Sequence, residues 1–326
     1  MHYVFLVNPV ANMKVAAEVE TAIFALRKSL GEASVFLHRL EFIGQGGVLA
    51  KEYAGRFGSE VVVFACGGDG TANEIANVLA FSDTPMGLIP MGTGNDFVRS
   101  FLPESLRKNQ AELIRRLDSI VFRDVDLFEV ETYASSDASE PEMKRLAMNI
   151  VSFGLDNAIQ QSAKKMVAAT KKLPWLRKHT YNLATVLCVI KGWDYSMVYS
   201  LVDADSGGKI EGEVDFILSA ICNGSFYGGG FCPAPSAELD DGVLNVCLVE
   251  DMPLRKVIPM VGKYKRGVHL PHPNIRDFRV TSGVLRPVGK MQAMVGNYDG
   301  ENFSGYEVRF EIRPKALKLA FFGAEE

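Results

Sequence analysis

The chain has 326 residues, a hydrophobic content of 48% and a formal net charge of −4. This length predicts two domains, because single hydrophobic cores usually stop growing at a smaller size. The weakly acidic charge argues against nucleic acid as a partner, and no apolar stretch approaches the roughly 20 residues that a membrane span needs.

The cysteines and the amino terminus indicate the cellular compartment in which the protein resides. The five cysteines stand singly, without a C-x-x-C pair, at positions Cys66, Cys188, Cys222, Cys232 and Cys247. This spacing is typical of a reducing cytoplasm and argues against zinc ligation or a disulfide framework. The amino terminus shows neither the basic region nor the cleavage pattern of a secretory signal. We therefore expect a cytoplasmic protein.

The first 120 residues alternate short apolar runs with helix-period stretches. The runs HYVFLVNP, SVFLHRL, EVVVFACGG and MGLIPMG predict strands, and residues 15–30, 47–57 and 72–80 predict helices between them. This alternation predicts an α/β domain in which helices cover both faces of a parallel sheet. Such sheets bind ligands at the carboxyl ends of their strands.

From about residue 125 the pattern changes to many short β-like segments, including RDVDLFEVET, RLAMNIVSFG, VDFILSAICN and GVLNVCLVE. Turn residues separate them, which predicts a largely antiparallel β domain over residues 125–312. The first domain then covers residues 1–124. The apolar tail at 313–326 is expected to return to it as an added strand.

The glycine-rich stretch Gly67-Gly68-Asp69-Gly70-Thr71 leaves a strand and enters a helix whose start we expect near Thr71 or Ala72. Backbone N–H groups point at an anion in such a loop, and glycines allow a phosphate to approach closely. Asp69 would repel phosphates unless a cation lay between them, so the loop predicts Mg²⁺. The alternative is a tight left-handed turn with the aspartate as a local cap.

A second glycine loop, IPMGTGNDF, follows the next strand. It presents Gly92, Thr93, Gly94, Asn95 and Asp96. Neighbouring parallel strands place their carboxyl-end loops side by side, so Asp69 and Asp96 are expected to face one cleft. Neither loop matches the P-loop or dinucleotide fingerprints, which indicates another kind of phosphate site.

Five ordered motifs carry a resemblance to a known family: GGDGTANEIANVL, PMGTGNDFVRS, NGSFYGGGFCPAPSAELDDGVLNVCLVED, GVHLPHP and NYDGE. Together they resemble the catalytic domain of the diacylglycerol kinase family, which includes sphingosine and ceramide kinases, and most closely its soluble bacterial lipid kinases. The resemblance implies a Rossmann-like nucleotide domain, of the NAD kinase and phosphofructokinase type, followed by a β-sandwich lipid-substrate domain.

The resemblance also implies ATP as phosphate donor. The positions that match the family's ATP-binding residues are Asn8, Pro9, Gly67, Gly68, Asp69, Gly70, Thr71, Asn73, Glu74, Gly92, Thr93, Gly94 and Asn95. The serine and glycine that usually follow Asn-Pro are missing, and Asn12 is the expected substitute. The effect of this altered loop on ATP binding stays open.

The resemblance implies two Mg²⁺ sites and a general base. Asp69, Asp96 and Asp126 would hold the active-site ion, although Asp126 also fits a surface charge at the domain boundary. A structural ion would bind the side chain of Asp241 and the carbonyls of Glu238 and Val243, although Asp-Asp-Gly also fits a hairpin turn. Glu301 is the implied base and Asp299 the second choice, in a sequence that again suits a turn.

One basic segment suits contact with an anionic bilayer. Seven cations surround the sequence LPWL without an intervening acid, namely Lys164, Lys165, Lys171, Lys172, Arg177, Lys178 and Lys191. An ordinary solvated helix is the alternative.

The resemblance therefore implies an ATP-dependent lipid kinase that converts diacylglycerol to phosphatidic acid or phosphorylates a related lipid alcohol. The expected acceptor is a lipid presented at a membrane surface. NAD kinase, which shares the Gly-Gly-Asp-Gly-Thr loop, and a catalytically silent lipid-binding regulatory protein are the alternatives. The identity of the lipid and the formation of a homodimer stay open.

Overall fold

The computed structural model describes residues 1–155, 158 and 194–323. The α-helices described are α1 (Met13–Leu30), α2 (Gln45–Phe57), α3 (Asp69–Leu79), α4 (Glu104–Arg107), α5 (Gln110–Arg115) and α6 (Leu254–Lys265). The strands described are β1 (His2–Val7), β2 (Val35–Arg39), β3 (Val61–Gly67), β4 (Met86–Pro90), β5 (Ile120–Tyr133), β6 (Met143–Ala147), β7 (Ile150–Gly154), β8 (Tyr195–Asp203), β9 (Lys209–Cys222), β10 (Leu244–Glu250), β11 (Ile275–Pro287), β12 (Met294–Tyr298), β13 (Glu301–Gly305) and β14 (Glu307–Phe322).

The first four strands form a parallel sheet in the order β2-β1-β3-β4. All seven residues of β3 are buried, as expected for a parallel strand that is covered on both faces. Helix α1 buries Ala16, Val19 and Ile23, whose spacing places them on one side of the helix. The predicted amino-terminal α/β architecture is confirmed.

Helix α3 begins at Asp69, before the start that the sequence predicted near Thr71 or Ala72. Gly68 precedes it in an extended conformation and acts as its N-cap residue. A carboxylate in the first turn interacts favourably with the positive end of the helix dipole, which explains the earlier start. Asp69 is therefore a helix residue, positioned by the first turn of α3.

The second half of the chain is antiparallel, as predicted. Strand β14 pairs with β5 over most of its length, and near its end Leu319 lies beside Met86 of β4 in parallel orientation. The fourteen described strands consequently belong to one continuous sheet. The segment RLAMNIVSFG, predicted as one strand, forms two strands, β6 and β7, separated by Met148 and Asn149.

Three hydrophobic clusters fill the described structure. One lies between the parallel sheet and its helices, and a second lies within the antiparallel half. The third includes Val257, Met260 and Tyr264, which fix α6 to the sheet. No helix among the described residues is long and apolar enough to cross a membrane. The basic segment from Lys164 to Lys191, predicted to contact a bilayer, lies outside the described residues.

Candidate functional site

The first glycine loop joins β3 to α3. A Cβ added to Gly67 would lie 2.6 Å from Thr71 Oγ1, so only glycine fits at the end of β3. Asn8, which follows β1, donates from Nδ2 to Thr71 Oγ1 over 2.9 Å. The structure thus brings together two residues that were predicted to contact a nucleotide. The first backbone N–H groups of α3 have no acceptor within the helix, which suits an anion at this position.

The second glycine loop packs directly against the first. A Cβ on Gly92 would come within 2.6 Å of Gly68 Cα, so this approach requires glycine. Asn95 shapes the loop from a left-handed conformation, with φ at 48°. It accepts from Gly92 N over 2.9 Å and donates to Gly92 O over 2.7 Å. Asn95 therefore supports the loop through its own side chain, and its contact with ATP stays a prediction.

The carboxylates of Asp69 and Asp96 converge beside Gly94. A Cβ placed on Gly94 would lie 3.2 Å from Asp69 Oδ2 and equally far from Asp96 Oδ2. Asp69 Oδ1 accepts from Phe97 N, and Asp96 Oδ2 accepts from Gly229 N over 2.8 Å. Burial raises the pKa of Asp69, and the nearby charge of Asp96 raises it further. The predicted pairing of these two acids at one cleft is reproduced by the fold.

Asp126 is held by two backbone donors. Its Oδ1 accepts from Lys315 N and its Oδ2 accepts from Gly242 N, each over 2.7 Å, and the side chain is fully buried. The reason is a register shift in β14 between Arg313 and Leu317, which leaves the Lys315 N–H without a partner in β5. Each oxygen of Asp126 thus accepts one backbone N–H, and its role as a ligand beside Asp69 and Asp96 stays a prediction. Among the described residues, no three acidic, histidine or cysteine side chains form a metal-binding group.

Asp299 and Gly300 form the tight turn between β12 and β13. Both residues have positive φ, 45° and 98°, which is the conformation that favours Asp-Gly in two-residue hairpins. The Asp299 carboxylate reaches back into the protein. It accepts from Asn73 Nδ2 (2.8 Å), Met148 N (2.6 Å), Asn149 N (3.1 Å) and Ile150 N (3.1 Å). Asp299 therefore connects α3 of the first domain to strands of the second.

Burial raises the pKa of Asp299 to about 6, against the opposing effect of its backbone donors and with a smaller contribution from the charge of Asp69. Each oxygen of this carboxylate accepts two hydrogen bonds. Such a group is suited to holding the hairpin in place and is a poor choice for a base that must accept a further proton from substrate.

Glu301, the first residue of β13, is exposed and has a different environment. Its Oε2 accepts from Tyr298 OH over 2.8 Å. Within the described part of the chain no other hydrogen bond of the Glu301 side chain is found, so its second carboxylate oxygen is available to a ligand. The hairpin thus gives its two acids different roles: Asp299 is fixed by donors, and Glu301 is open to solvent.

Two cavities meet at the glycine loops. The larger, of about 970 Å³, is lined by Asn8, Thr71 and Glu301, among others. The smaller, of about 500 Å³, is lined among others by Asp69, Asp96, Asn149, Ser152, Tyr227 and Asp299. Residues Gly68, Gly70 and Thr93 line both cavities. A group bound above these three residues would be accessible from both sides.

Other predicted nucleotide contacts have structural partners. Glu74 lines the larger cavity and accepts from Gly47 N over 2.7 Å and from Gly44 N over 3.2 Å, which ties the start of α2 to α3. Asn12 caps α1 by accepting from Val15 N over 3.3 Å. It does not line either cavity, because its side chain is directed at the helix start; Pro9 lies in the turn after β1.

The Asp240-Asp241-Gly242 sequence forms a bend that precedes β10. Gly242 has a φ of 73°, and Asp241 Oδ1 accepts from Val243 N over 3.0 Å. Asp241 Oδ2 lies 3.8 Å from Arg279 Nη2, and Glu238 is exposed. Among the described residues no hairpin forms here, because β9 ends at Cys222 and β10 begins only at Leu244. The structural Mg²⁺ at Glu238, Asp241 and Val243 stays a prediction.

Two residues that shape the site were not predicted from the sequence. Arg99 forms an ion pair with Asp96 over 3.0 Å and donates to Gly94 O over 3.1 Å, so it fixes the second glycine loop. Asn77 donates to Leu146 O over 2.8 Å and accepts from Leu146 N over 3.1 Å. Its spacing of four from Asn73 was the available signal, since such residues share one side of a helix.

Comparison with known proteins identifies the family. Residues 2–130 match the diacylglycerol kinase catalytic domain, and residues 149–321 match the YegS C-terminal NAD kinase beta sandwich-like domain. The fold and these matches define an enzyme of the kinase class. The chain belongs to the diacylglycerol kinase family and carries the YegS type of carboxyl-terminal domain, as the resemblance of its motifs implied.

Individual relatives agree with this assignment. A "Probable lipid kinase YegS-like" of Enterobacter sp. (strain 638) is 29% identical over 277 residues, which are 82% of this chain and 79% of that protein. A "Diacylglycerol kinase" of Mycobacterium tuberculosis (strain H37Rv) is 25% identical over 210 residues, 64% of this chain and 61% of that protein. A crystal structure of a diacylglycerol kinase from Bacillus anthracis str. Sterne shares the fold, with a TM-score of 0.61 at 16% identity, covering 98% of this chain and 96% of that one.

Proposed function

We propose that this protein transfers the γ-phosphate of ATP, with Mg²⁺, to the hydroxyl of a lipid alcohol, most simply diacylglycerol, to form phosphatidic acid. The observation that carries the proposal is the junction of two cavities above Gly68, Gly70 and Thr93, with the carboxylates of Asp69 and Asp96 beside it. Phosphoryl transfer needs donor and acceptor in line on the two sides of one phosphate.

The larger cavity suits the nucleotide. Asn8, Thr71 and the first N–H groups of α3 offer hydrogen-bond donors to phosphate oxygens. The smaller cavity suits the acceptor, because Asn149, Ser152 and Tyr227 provide polar groups for a lipid head. The γ-phosphate would then lie between them, above the glycines that both cavities share.

Asp69 and Asp96 fit a magnesium ion. Their oxygens are the hard ligands that Mg²⁺ prefers together with phosphate oxygens, and Gly94 leaves the space between the two carboxylates free of a side chain. Bound there, the ion would neutralise charge on the transferring phosphoryl group. Asp69 and Asp96 would hold it, while Arg99 keeps Asp96 in position.

Glu301 is the proposed general base, and Asp299 positions it. The turn stands at the border of the cavities, since Asp299 and Gly300 line the smaller one and Glu301 lines the larger. As the lipid oxygen forms its bond to the γ-phosphorus and the bond to the departing ADP oxygen breaks, the hydroxyl proton passes to the Glu301 carboxylate. A weakly acidic hydroxyl benefits from such a base.

The test of the reaction is a substrate panel. γ-Labelled ATP and Mg²⁺ are offered with diacylglycerol, ceramide, sphingosine, phosphatidylglycerol or NAD in mixed micelles. We expect label in a lipid with wild type and a loss of at least about a hundredfold with Asp69→Asn. Label in NAD alone would establish the NAD kinase alternative, and no label in any acceptor would leave a silent lipid-binding protein.

The test of the base is Glu301→Gln. Removing the base is expected to lower kcat by roughly 10²- to 10⁴-fold, because proton acceptance contributes about that much. ATP binding, measured by titration calorimetry, should survive, since Asn8, Thr71 and the glycine loops are unchanged. Glu311→Gln, on an exposed residue of β14, is the matched control. Full activity of Glu301→Gln, or loss of ATP binding in a folded variant, would contradict this role.

A further inference from the structure

Helix α6 presents an apolar row to solvent in addition to the face that it buries. Val257, Met260 and Tyr264 hold the helix against the sheet. Leu254, Ile258 and Val261, at positions i, i+4 and i+7, form a second row and are 41%, 66% and 41% exposed. Nothing in the described part of the chain covers this second row. Aligned exposed aliphatic side chains of this kind indicate a contact surface.

The same helix is strongly cationic. Residues 252–276 contain no Asp or Glu, although the whole chain has a net charge of −4. The exposed cations on and next to α6 are Arg255, Lys256, Lys263, Lys265 and Arg266. Among the residues that the structure describes, none of these five forms a salt bridge. Their charge is therefore available to a partner.

We propose that this face of α6 docks on the surface of an anionic lipid bilayer. A helix that combines an aliphatic row with a cationic border lies in the bilayer interface, with the apolar side chains among the acyl chains and the cations at the headgroups. The exposed row contains no aromatic side chain on which nucleic-acid bases would stack. Charge and shape therefore favour an anionic lipid surface.

Helix α6 adjoins the smaller cavity through its buried side. Tyr264 OH, on the buried side of α6, lies 3.2 Å from Tyr227 OH, and Tyr227 lines that cavity. Lys265 Nζ lies 5.5 Å from the centre of the Phe231 ring, just beyond the glycines that follow Tyr227. Helix α6 would thus stand between a bound bilayer and this wall of the cavity. The use of this arrangement to admit a lipid acceptor rests on the proposed function, whereas docking itself does not.

Vesicle binding tests the docking without reference to catalysis. The full chain is sedimented with vesicles of phosphatidylglycerol and phosphatidylcholine in equal amounts, or of phosphatidylcholine alone, at low and high salt. Wild type should bind the anionic vesicles and release them at high salt. Arg255→Gln with Arg266→Gln should weaken binding roughly 25-fold, at about fivefold for each charge. Ile258→Asn should weaken it about tenfold.

The matched controls carry the same types of substitution at exposed positions of α1 and α2. Lys28→Gln with Lys51→Gln removes two charges, and Phe24→Asn removes an exposed apolar side chain. These variants should bind as wild type does. Circular dichroism confirms that each variant is folded, and the charge pair keeps the test decisive if Ile258→Asn is unstable.

Three results would overturn the proposal. The first is equal binding of the α6 variants and the controls. The second is binding to neutral vesicles that is as strong as binding to anionic ones and insensitive to salt. The third is a wild-type dimer that Ile258→Asn converts to a monomer with vesicle binding unchanged, which would make this face an interface between two copies of the chain. Loss of kinase activity alone would bear on the proposed function and leave docking unaffected.

Discussion

Asp299 is both a turn residue and a cross-link between the domains. Its left-handed conformation belongs to the turn itself. Its four donors come from α3, from the two residues between β6 and β7, and from Ile150 at the start of β7. The carboxylate is buried, and this burial raises its pKa, whereas the backbone hydrogen bonds lower it. Because burial has the larger effect, the carboxylate changes its protonation state at a higher pH in the folded chain than in the unfolded chain.

The stability of the fold should depend on the protonation of Asp299. Its pKa rises from 3.8 to about 6 on folding, so between these values the folded chain binds more protons than the unfolded chain. The contribution of Asp299 to the free energy of unfolding is complete below about pH 4 and is lost as the pH rises through 6. Relative to Asp299→Asn, wild type should lose up to about 3 kcal/mol of unfolding free energy between pH 4 and pH 7.

Urea unfolding of both proteins across this range measures the difference directly. Asp137→Asn, in the exposed loop between β5 and β6, is the matched control for the loss of a carboxylate. A difference between wild type and Asp299→Asn that is constant with pH, or that grows as the pH rises, would refute the prediction.

At the scale of elements, the site depends on the close approach of two loops. Strands β3 and β4 are neighbours, with Gly67 beside Pro90, so the loops that follow them must pass each other. Gly92 and Gly68 make this possible, because either loop with a side chain at the contact would be displaced. The paired carboxylates near Gly94 depend on that same packing.

Gly92→Ala is expected to destabilise the protein by about 1–3 kcal/mol and to lower nucleotide affinity, since the added Cβ would lie 2.6 Å from Gly68 Cα. Gly55→Ala is the matched control. Gly55 lies within α2 with no heavy atom within 4 Å of the added Cβ, so alanine should stabilise the helix by roughly 0.5–1 kcal/mol. Thermal unfolding and calorimetric ATP titration measure both effects. Equal stability of the two variants would show that the loops adapt without cost.

The glycine loops could be predicted from sequence because their signals are local. A buried apolar run, glycines and a helix pattern follow one another within a few residues at both loops. Asp126 could not be placed in this way, because its environment depends on a shift of β14 that occurs far along the chain. The bond between Asn73 and Asp299 is likewise a contact between distant segments, and no periodicity indicates it.

At the scale of the molecule, the two domains share their sheet. Strand β14 pairs with β5 for most of its length and borders β4 at Leu319, a residue with no exposed surface. This junction joins the parallel and antiparallel halves through backbone hydrogen bonds and buried side chains. The halves should therefore unfold together.

Leu319→Ala tests this coupling. Removing a fully buried leucine should cost about 2–5 kcal/mol, and hydrogen exchange should accelerate in β3 and in β9 by similar factors. Val121→Ala, on an exposed position of β5, should change neither strand appreciably. Faster exchange in β3 with full protection in β9 would show that the halves unfold independently.

The continuous sheet also bears on how a substrate enters. Strands β5 and β14 cross from the antiparallel half to the parallel half side by side, and their register is interrupted between Arg313 and Leu317. Bending at this interruption would leave the ladders on either side of it intact. Phe42 and Ile43, in the loop between β2 and α2, line the larger cavity and are 64% and 98% exposed, so they have few contacts to lose if this loop moves. We therefore expect a ligand to enter the larger cavity past this loop.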